Sequence, residues 1–308
     1  MKARAVRKGD LVGVVAPAGP VDEGRLRRGV AELEGLGLAV RVADGVFERK
    51  GFTAGSLEAR TAQVHEALAD PEIAAVFCAR GGAGAGWLVP RLDPALVRAH
   101  PKPLVGYSDI TFLHLALGSW GLPSLHGPMV ARELADGGTA YDRPSLWHAL
   151  TGEGAPYATT PEDLLPLRAG SGEGLLRGGC LSILAAAAGT PWALRPGGEP
   201  TILFLEDVDE PPYRIDRMLL QLRASGAFDG VKGVVLGDMK GCAPGLEADY
   251  TLEDVILEAL DGLDTPVALG LSSGHTSSPS VTLPLGARAR LDCSADEARF
   301  AVLEAPFA

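Results

Sequence analysis

Short apolar runs alternate with amphipathic segments along the first 120 residues, and that alternation limits what the chain can become. The apolar runs at 11–16, 38–43, 73–79 and 103–106 have the length and boundaries of strands. Between them, 25–36, 56–69 and 110–120 carry apolar residues at helical spacing, such as Leu26, Val30, Leu33 and Leu36. Ser56 is placed to cap the second of these helices, and Glu58 suits its first turn. Strands alternating with helices predict a parallel sheet with right-handed crossovers, an α/β domain of the flavodoxin or Rossmann-like kind. In such sheets the ligand crevice lies at the C-terminal strand ends. Two segments fall on that edge. One is the run Arg80-Gly81-Gly82-Ala83-Gly84-Ala85-Gly86, and the other is the serine turn after Gly106.

The pattern decays between 151 and 174 into Gly, Pro, Thr and Glu, which predicts a linker there. A first domain is therefore expected over 1–150 and a second over 175–308. The second half predicts helices at 181–188, 213–224 and 252–260 and strands at 201–205, 231–236 and 267–271. Strands with tight turns follow at 281–283, 287–293 and 299–303, so this half is mixed with a β-rich end. No internal repeat is present.

The 308 residues are 46% hydrophobic and 22% charged, the balance of a soluble globular protein. No run of roughly 20 apolar residues predicts a membrane span. The basic start at 1–10 is not followed by an apolar core, so no signal peptide is expected. A net charge of -11 argues against a general nucleic-acid binder. Cys78, Cys180, Cys242 and Cys293 are scattered and read as reduced thiols in a cytoplasmic protein, with neither a disulfide framework nor a zinc site.

The stretch Pro103-Leu104-Val105-Gly106-Tyr107-Ser108-Asp109-Ile110-Thr111 reads as strand, sharp turn and helix. A serine on such a turn stands clear of the backbone beside the first amides of the new helix, as in a nucleophile elbow. Ile110 occupies the place of the usual second glycine. A helix-capping Ser108 or Asp109 is the plain structural reading. The Gly-rich run is no dinucleotide fingerprint, because Pro90 interrupts the following helix and the expected acid is missing. Its glycines suit a close approach of backbone N–H groups to an oxyanion or carboxylate, or simply a tight connection.

Of six histidines, His126 and His275 follow apolar runs and are expected in loops, His275 being the better placed base beside Gly274 and small hydroxyl residues. His114 is expected to face away from the start of its helix. Glu206 appears abruptly at the end of the strand 201–205, where it could orient a histidine, with Asp207, Asp209 and Glu210 as competitors. A metal site built from these acids fits neither an EF-hand nor a zinc-protease spacing. Serine, acid and histidine then follow in the chain order of α/β-type serine hydrolases.

With these residues in place, the sequence resembles the LD-carboxypeptidase family of serine peptidases, which includes the microcin C self-immunity proteins. The resemblance is carried by Gly9-Asp10, Val14-Val15-Ala16-Pro17, Ala79-Arg80-Gly81-Gly82, Gly106-Tyr107-Ser108-Asp109, His126-Gly127-Pro128-Met129, Leu205-Glu206-Asp207, Tyr213-Arg214-Ile215-Asp216-Arg217, Gly274-His275 and Leu283-Pro284-Leu285-Gly286. It implies a nucleophile at Ser108, a base at His275 and an orienting acid at Glu206. It also implies an N-terminal nucleophile domain, a smaller C-terminal domain carrying the acid and base, and a homodimer. The implied oxyanion donors are the N–H groups of Asp109 and Gly82, with Gly81 as fallback. Arg80 is the candidate for a substrate carboxylate. No cofactor and no metal are implied. The implied reaction is hydrolysis of an L,D amide, releasing D-alanine from murein tetrapeptide during peptidoglycan recycling in the cytoplasm. Cleavage of aminoacyl-nucleotide amides and non-catalytic peptide binding are the alternatives. Ala83, where the family often has Tyr, and Cys180, where it often has Asn, depart from the pattern.

Overall fold

The computed structural model describes residues 4–153, 157–158 and 164–307, with backbone only at 157–158. Its strands are β1 (Leu11–Val15), β2 (Ala39–Val42), β3 (Ile73–Cys78), β4 (Leu104–Gly106), β5 (Ser124–His126), β6 (Tyr157–Ala158), β7 (Leu165–Arg168), β8 (Gly170–Cys180), β9 (Thr201–Glu206), β10 (Val231–Leu236), β11 (Val267–Leu269), β12 (Leu283–Leu285), β13 (Arg288–Cys293) and β14 (Ala298–Val302). They form two sheets.

The first unit comprises Met1–Gly154, Ser278–Leu285 and Ala305–Ala308. Its sheet has the order β12-β5-β4-β3-β1-β2. Strands β1 to β5 are parallel, as the alternation predicts, and β12 adds antiparallel on β5. The helices start where side chains satisfy their first amides. Asp22 accepts from Arg25 N ahead of Glu23–Gly35, and Ser56 accepts from Ala59 N ahead of Leu57–Ala69. Val12, Val14, Phe77, Val105 and Leu125 are wholly buried in this core. Each such side chain stabilises the fold by about 1.5–3 kcal/mol relative to exposure.

The second unit comprises Ala155–Ser277 and Gly286–Glu304. Its sheet has the order β6-β14-β13-β8-β9-β10-β11-β7. A parallel centre of β8, β9, β10 and β11 is flanked by antiparallel strands. Helix Pro212–Ala224 buries Ile215, Leu219 and Leu222.

The stretch 151–174, read above as a linker, contains β7 and the first half of β8, while 154–156 and 159–163 lie outside the described residues. Strand β8 hides from sequence reading because glycine is disfavoured in strands. Here it is required by close approach. A Cβ on Gly178 would sit 1.8 Å from the Phe204 carbonyl oxygen, and one on Gly172 would sit 1.7 Å from that of Lys232. His126 also departs from expectation. It ends a three-residue strand and is wholly buried.

Candidate active site

In the first unit, the site begins where β4 stops at Gly106. Ser108 opens a tight turn, Ser108–Ile110, that leads into helix Thr111–Ser119. Its φ is +65°, one of three positive values among described non-glycine residues. A side chain in that region costs of order 1–3 kcal/mol and persists only where neighbours hold it. The neighbours are visible. The Tyr107 hydroxyl donates to Glu133 Oε1 at 2.7 Å, and Asp109 Oδ2 accepts from the Ala85 N–H at 2.8 Å. Ile110, in place of the elbow's second glycine, packs toward Gly106, where a Cβ would lie 3.1 Å from Ile110 Cγ1.

The Gly-rich run lies against this turn. A Cβ on Gly81 would meet Ser108 Cβ at 2.9 Å and Oγ at 3.2 Å. Only glycine lets the Gly81-Gly82 backbone come so near the hydroxyl. Gly82 follows with φ +120°. Arg80 Nη1 donates to the Pro20 carbonyl at 3.2 Å, while its buried Nε finds no acceptor among the described residues. Arg80 makes no ion pair with any described residue.

His114 faces back toward the turn, contrary to the expectation from its helix position. Its Nε2–H donates to the Gly106 carbonyl at 2.8 Å, which leaves Nδ1 to accept from the Ser124 hydroxyl, also at 2.8 Å. Burial pushes this imidazole down to about 3, so it is a neutral structural group. His126 packs its ring on Tyr107, with centroids 5.8 Å apart. His65 accepts from the Asp93 N–H at the surface.

In the second unit, β9 delivers Glu206 and the loop after β11 delivers His275. Glu206 Oε2 accepts from the His275 backbone N–H at 3.0 Å and from ring Nδ1 at 2.8 Å. Because the carboxylate only accepts, Nδ1 carries the proton and Nε2 presents a lone pair. Glu206 is 1% exposed and the His275 side chain 16%. The competing acids are engaged elsewhere. Asp207 accepts from Ser182 N and Val208 N, and Glu210 pairs with Arg214. Asp209 sits on a left-handed turn. Asp238, which sequence reading missed, accepts from the Thr276 hydroxyl and from Ser277 N at 3.2 Å, so it steadies the residues just after His275. Its signal was faint: one acid past the end of an apolar strand. Cys180 lies opposite Glu206 in the β8–β9 register. Among the described residues, no three His, Cys, Asp or Glu side chains form a metal-holding group.

The structure thus brings Glu206 to His275 in one unit, and Arg80, Gly81, Gly82, Ser108 and Asp109 together in the other. A histidine oriented by a buried carboxylate can take up and return a proton, and a serine on a strained turn beside close backbone N–H groups suits acyl transfer.

Comparison with known proteins agrees with this chemistry. Residues 12–127 match the LD-carboxypeptidase N-terminal domain, and residues 173–291 match the LD-carboxypeptidase C-terminal domain. A probable murein peptide carboxypeptidase of Bacillus subtilis (strain 168) is 38% identical over 307 residues, covering 99% of this chain and 94% of that protein. The crystal structure of muramoyltetrapeptide carboxypeptidase from Oxalobacter formigenes superposes with a TM-score of 0.84 at 33% identity, over 96% of this chain and 99% of that one. An MccF-like protein from Bacillus anthracis strain Ames superposes with a TM-score of 0.89 at 27% identity, over 99% of each chain.

Proposed function

Because the chain belongs to the LD-carboxypeptidase family of serine peptidases, we propose that it removes the C-terminal D-alanine from murein tetrapeptide. The observation that carries the reading is the grip of Glu206 on His275, which leaves Nε2 as a base in a chain that keeps a strained serine turn. Ser108 Oγ attacks the amide carbonyl while His275 Nε2 takes its proton. The tetrahedral oxyanion is met by the N–H groups of Asp109 and Gly82. One such donor is worth about 3 kcal/mol of transition-state stabilisation. His275 then passes the proton to the departing amine, the C–N bond breaks, and D-alanine leaves. Water, deprotonated by the same imidazole, cleaves the acyl-enzyme and restores Ser108. Glu206 holds the productive tautomer and offsets the charge of the imidazolium.

A carboxypeptidase must recognise the free carboxylate next to the scissile bond. Arg80 fills that role, because its guanidinium carries no carboxylate partner among the described residues and Arg80 directly precedes the Gly81 that touches Ser108. The reading extends to peptidoglycan recycling in the cytoplasm. Four buried cysteines, none in a disulfide among the described residues, support a reducing compartment. A homodimer is carried by the family alone. Among the described residues, no helix is long and apolar enough to cross a membrane.

The test is release of D-alanine from purified murein tetrapeptide by the wild-type protein and by Ser108→Ala. No release by the wild type, with cleavage of an aminoacyl-sulfamoyl adenylate instead, would transfer the enzyme to the nucleotide-amide reaction.

A further inference from the structure

The Gly84–Ala85 peptide group is held at both ends by buried charged side chains. Arg60 Nη1 donates to the Gly84 carbonyl at 2.9 Å, and the Ala85 N–H donates to Asp109 Oδ2 at 2.8 Å. The same Nη1 donates to the Pro17 carbonyl at 2.7 Å. Arg60 is 3% exposed and Asp109 4%. Two side chains thereby join the segments that follow β1, β3 and β4. Each lies in the field of the other, although they make no direct hydrogen bond.

Burying ionisable groups is a poor route to stability, since each loses several kcal/mol of hydration. It is an effective way to fix a backbone, because a buried charge tolerates no loss of its partners. The backbone fixed here is the loop whose Gly81 already touches Ser108 and whose Gly82 carries a proposed oxyanion donor. We infer that Arg60 and Asp109 are positioning residues, which clamp the Gly84–Ala85 peptide from both ends and so hold the Gly-rich loop at the distance from Ser108 that the tetrahedral intermediate requires. The substrate is touched by neither side chain. The inference rests on the reading of Ser108 as nucleophile.

It is tested by kcat and KM for D-alanine release in four variants. Asp109→Ala removes the acceptor for Ala85, and kcat falls about 10- to 100-fold with little change in KM, the response to a donor displaced by about 1 Å. Asp109→Asn keeps an oxygen that can accept from Ala85 and lies about tenfold above Asp109→Ala. Gly84→Ala disturbs the same peptide from the loop side. Its Cβ would fall 2.9 Å from Thr53 Cγ2 and 3.0 Å from Arg60 Nη1, at a φ of +114°. This variant reproduces the loss of kcat even if Asp109→Ala fails to fold. Wild-type kcat in Gly84→Ala, or equal losses in Asp109→Asn and Asp109→Ala, overturns the clamp while leaving the serine mechanism intact. Wild-type turnover by Ser108→Ala overturns both.

Discussion

Glu206 holds His275 twice through one oxygen, Oε2, which accepts from the backbone N–H at 3.0 Å and from the ring N–H at 2.8 Å. The two bonds fix the loop and the ring orientation together. A side chain held this way has little freedom to choose the other tautomer.

Glu206→Gln should therefore lose activity out of proportion to the atoms changed. The amide can donate to Nδ1 and stabilise the wrong tautomer, with an expected fall in kcat of about 10⁴-fold. Asp207→Asn is the control. Its carboxylate serves Ser182 N and Val208 N, so the expected loss is about 1 kcal/mol of stability with kcat near wild type. Steady-state kinetics beside denaturant melts separates the two. A larger catalytic loss at Asp207 would reassign the acid.

Ser108→Ala is expected to fold and to lose several orders of magnitude in kcat. The relief of a positive φ is small for alanine, so its melting temperature stays close to wild type. Prior dialysis against EDTA leaves wild-type turnover unchanged. Loss of turnover on chelation would replace the serine mechanism with a metal-dependent one.

Arg80→Leu should act on binding more than on chemistry. A charge-assisted bond contributes about 1.5–3 kcal/mol, so KM for a free tetrapeptide rises roughly tenfold to hundredfold. The same peptide with a C-terminal amide should bind wild type and variant alike. A uniform rise for both peptides would return Arg80 to a structural role.

The stability of the first unit depends on pH through two buried groups with opposite signs. Folded His114 takes a proton only near 3, whereas in the unfolded chain it does so near 6.5. Below 6.5 the unfolded state takes up a proton that the folded state refuses, and stability falls as pH falls. Burial instead raises Asp109 from 3.8 to about 6, so its contribution makes stability rise as pH falls from about 6 toward 3.8. His114→Gln removes the first effect alone. The variant should be less stable than wild type at pH 8, and the gap should narrow by about 2 kcal/mol at pH 5. A constant gap in urea titrations at the two pH values would show that His114 does not titrate as its burial demands.

Gly178→Ala is expected to be among the most damaging methyl additions in the second unit. Its Cβ would sit 1.8 Å from the Phe204 carbonyl oxygen at a φ of +134°. Overpacking and backbone strain together cost about 4 kcal/mol or more. Gly189→Ala, with nothing within 4 Å of the new carbon, should be near neutral. Equal urea midpoints would refute the packing argument for β8.

The sequence by itself determined the alternation of strands and helices, the cap at Ser56, and the strand ends bearing Ser108 and Glu206. These follow from local rules: apolar periodicity, turn residues and abrupt changes of polarity. It did not determine which acid meets His275. Glu206, Asp207, Asp209 and Glu210 are equivalent in composition, and only the facing of β9 against the loop after β11 separates them. It also concealed β8, whose glycines look like a linker until neighbouring carbonyls are seen to exclude any side chain. The return of Leu283–Leu285 to the first sheet is another long-range event, since β12 and β5 are distant in sequence. The clamp of Arg60 and Asp109 on a single peptide belongs to the same class. Local chemistry is written along the chain. Partnership between distant residues depends on where the packed backbone brings them, and only the tertiary structure decided that.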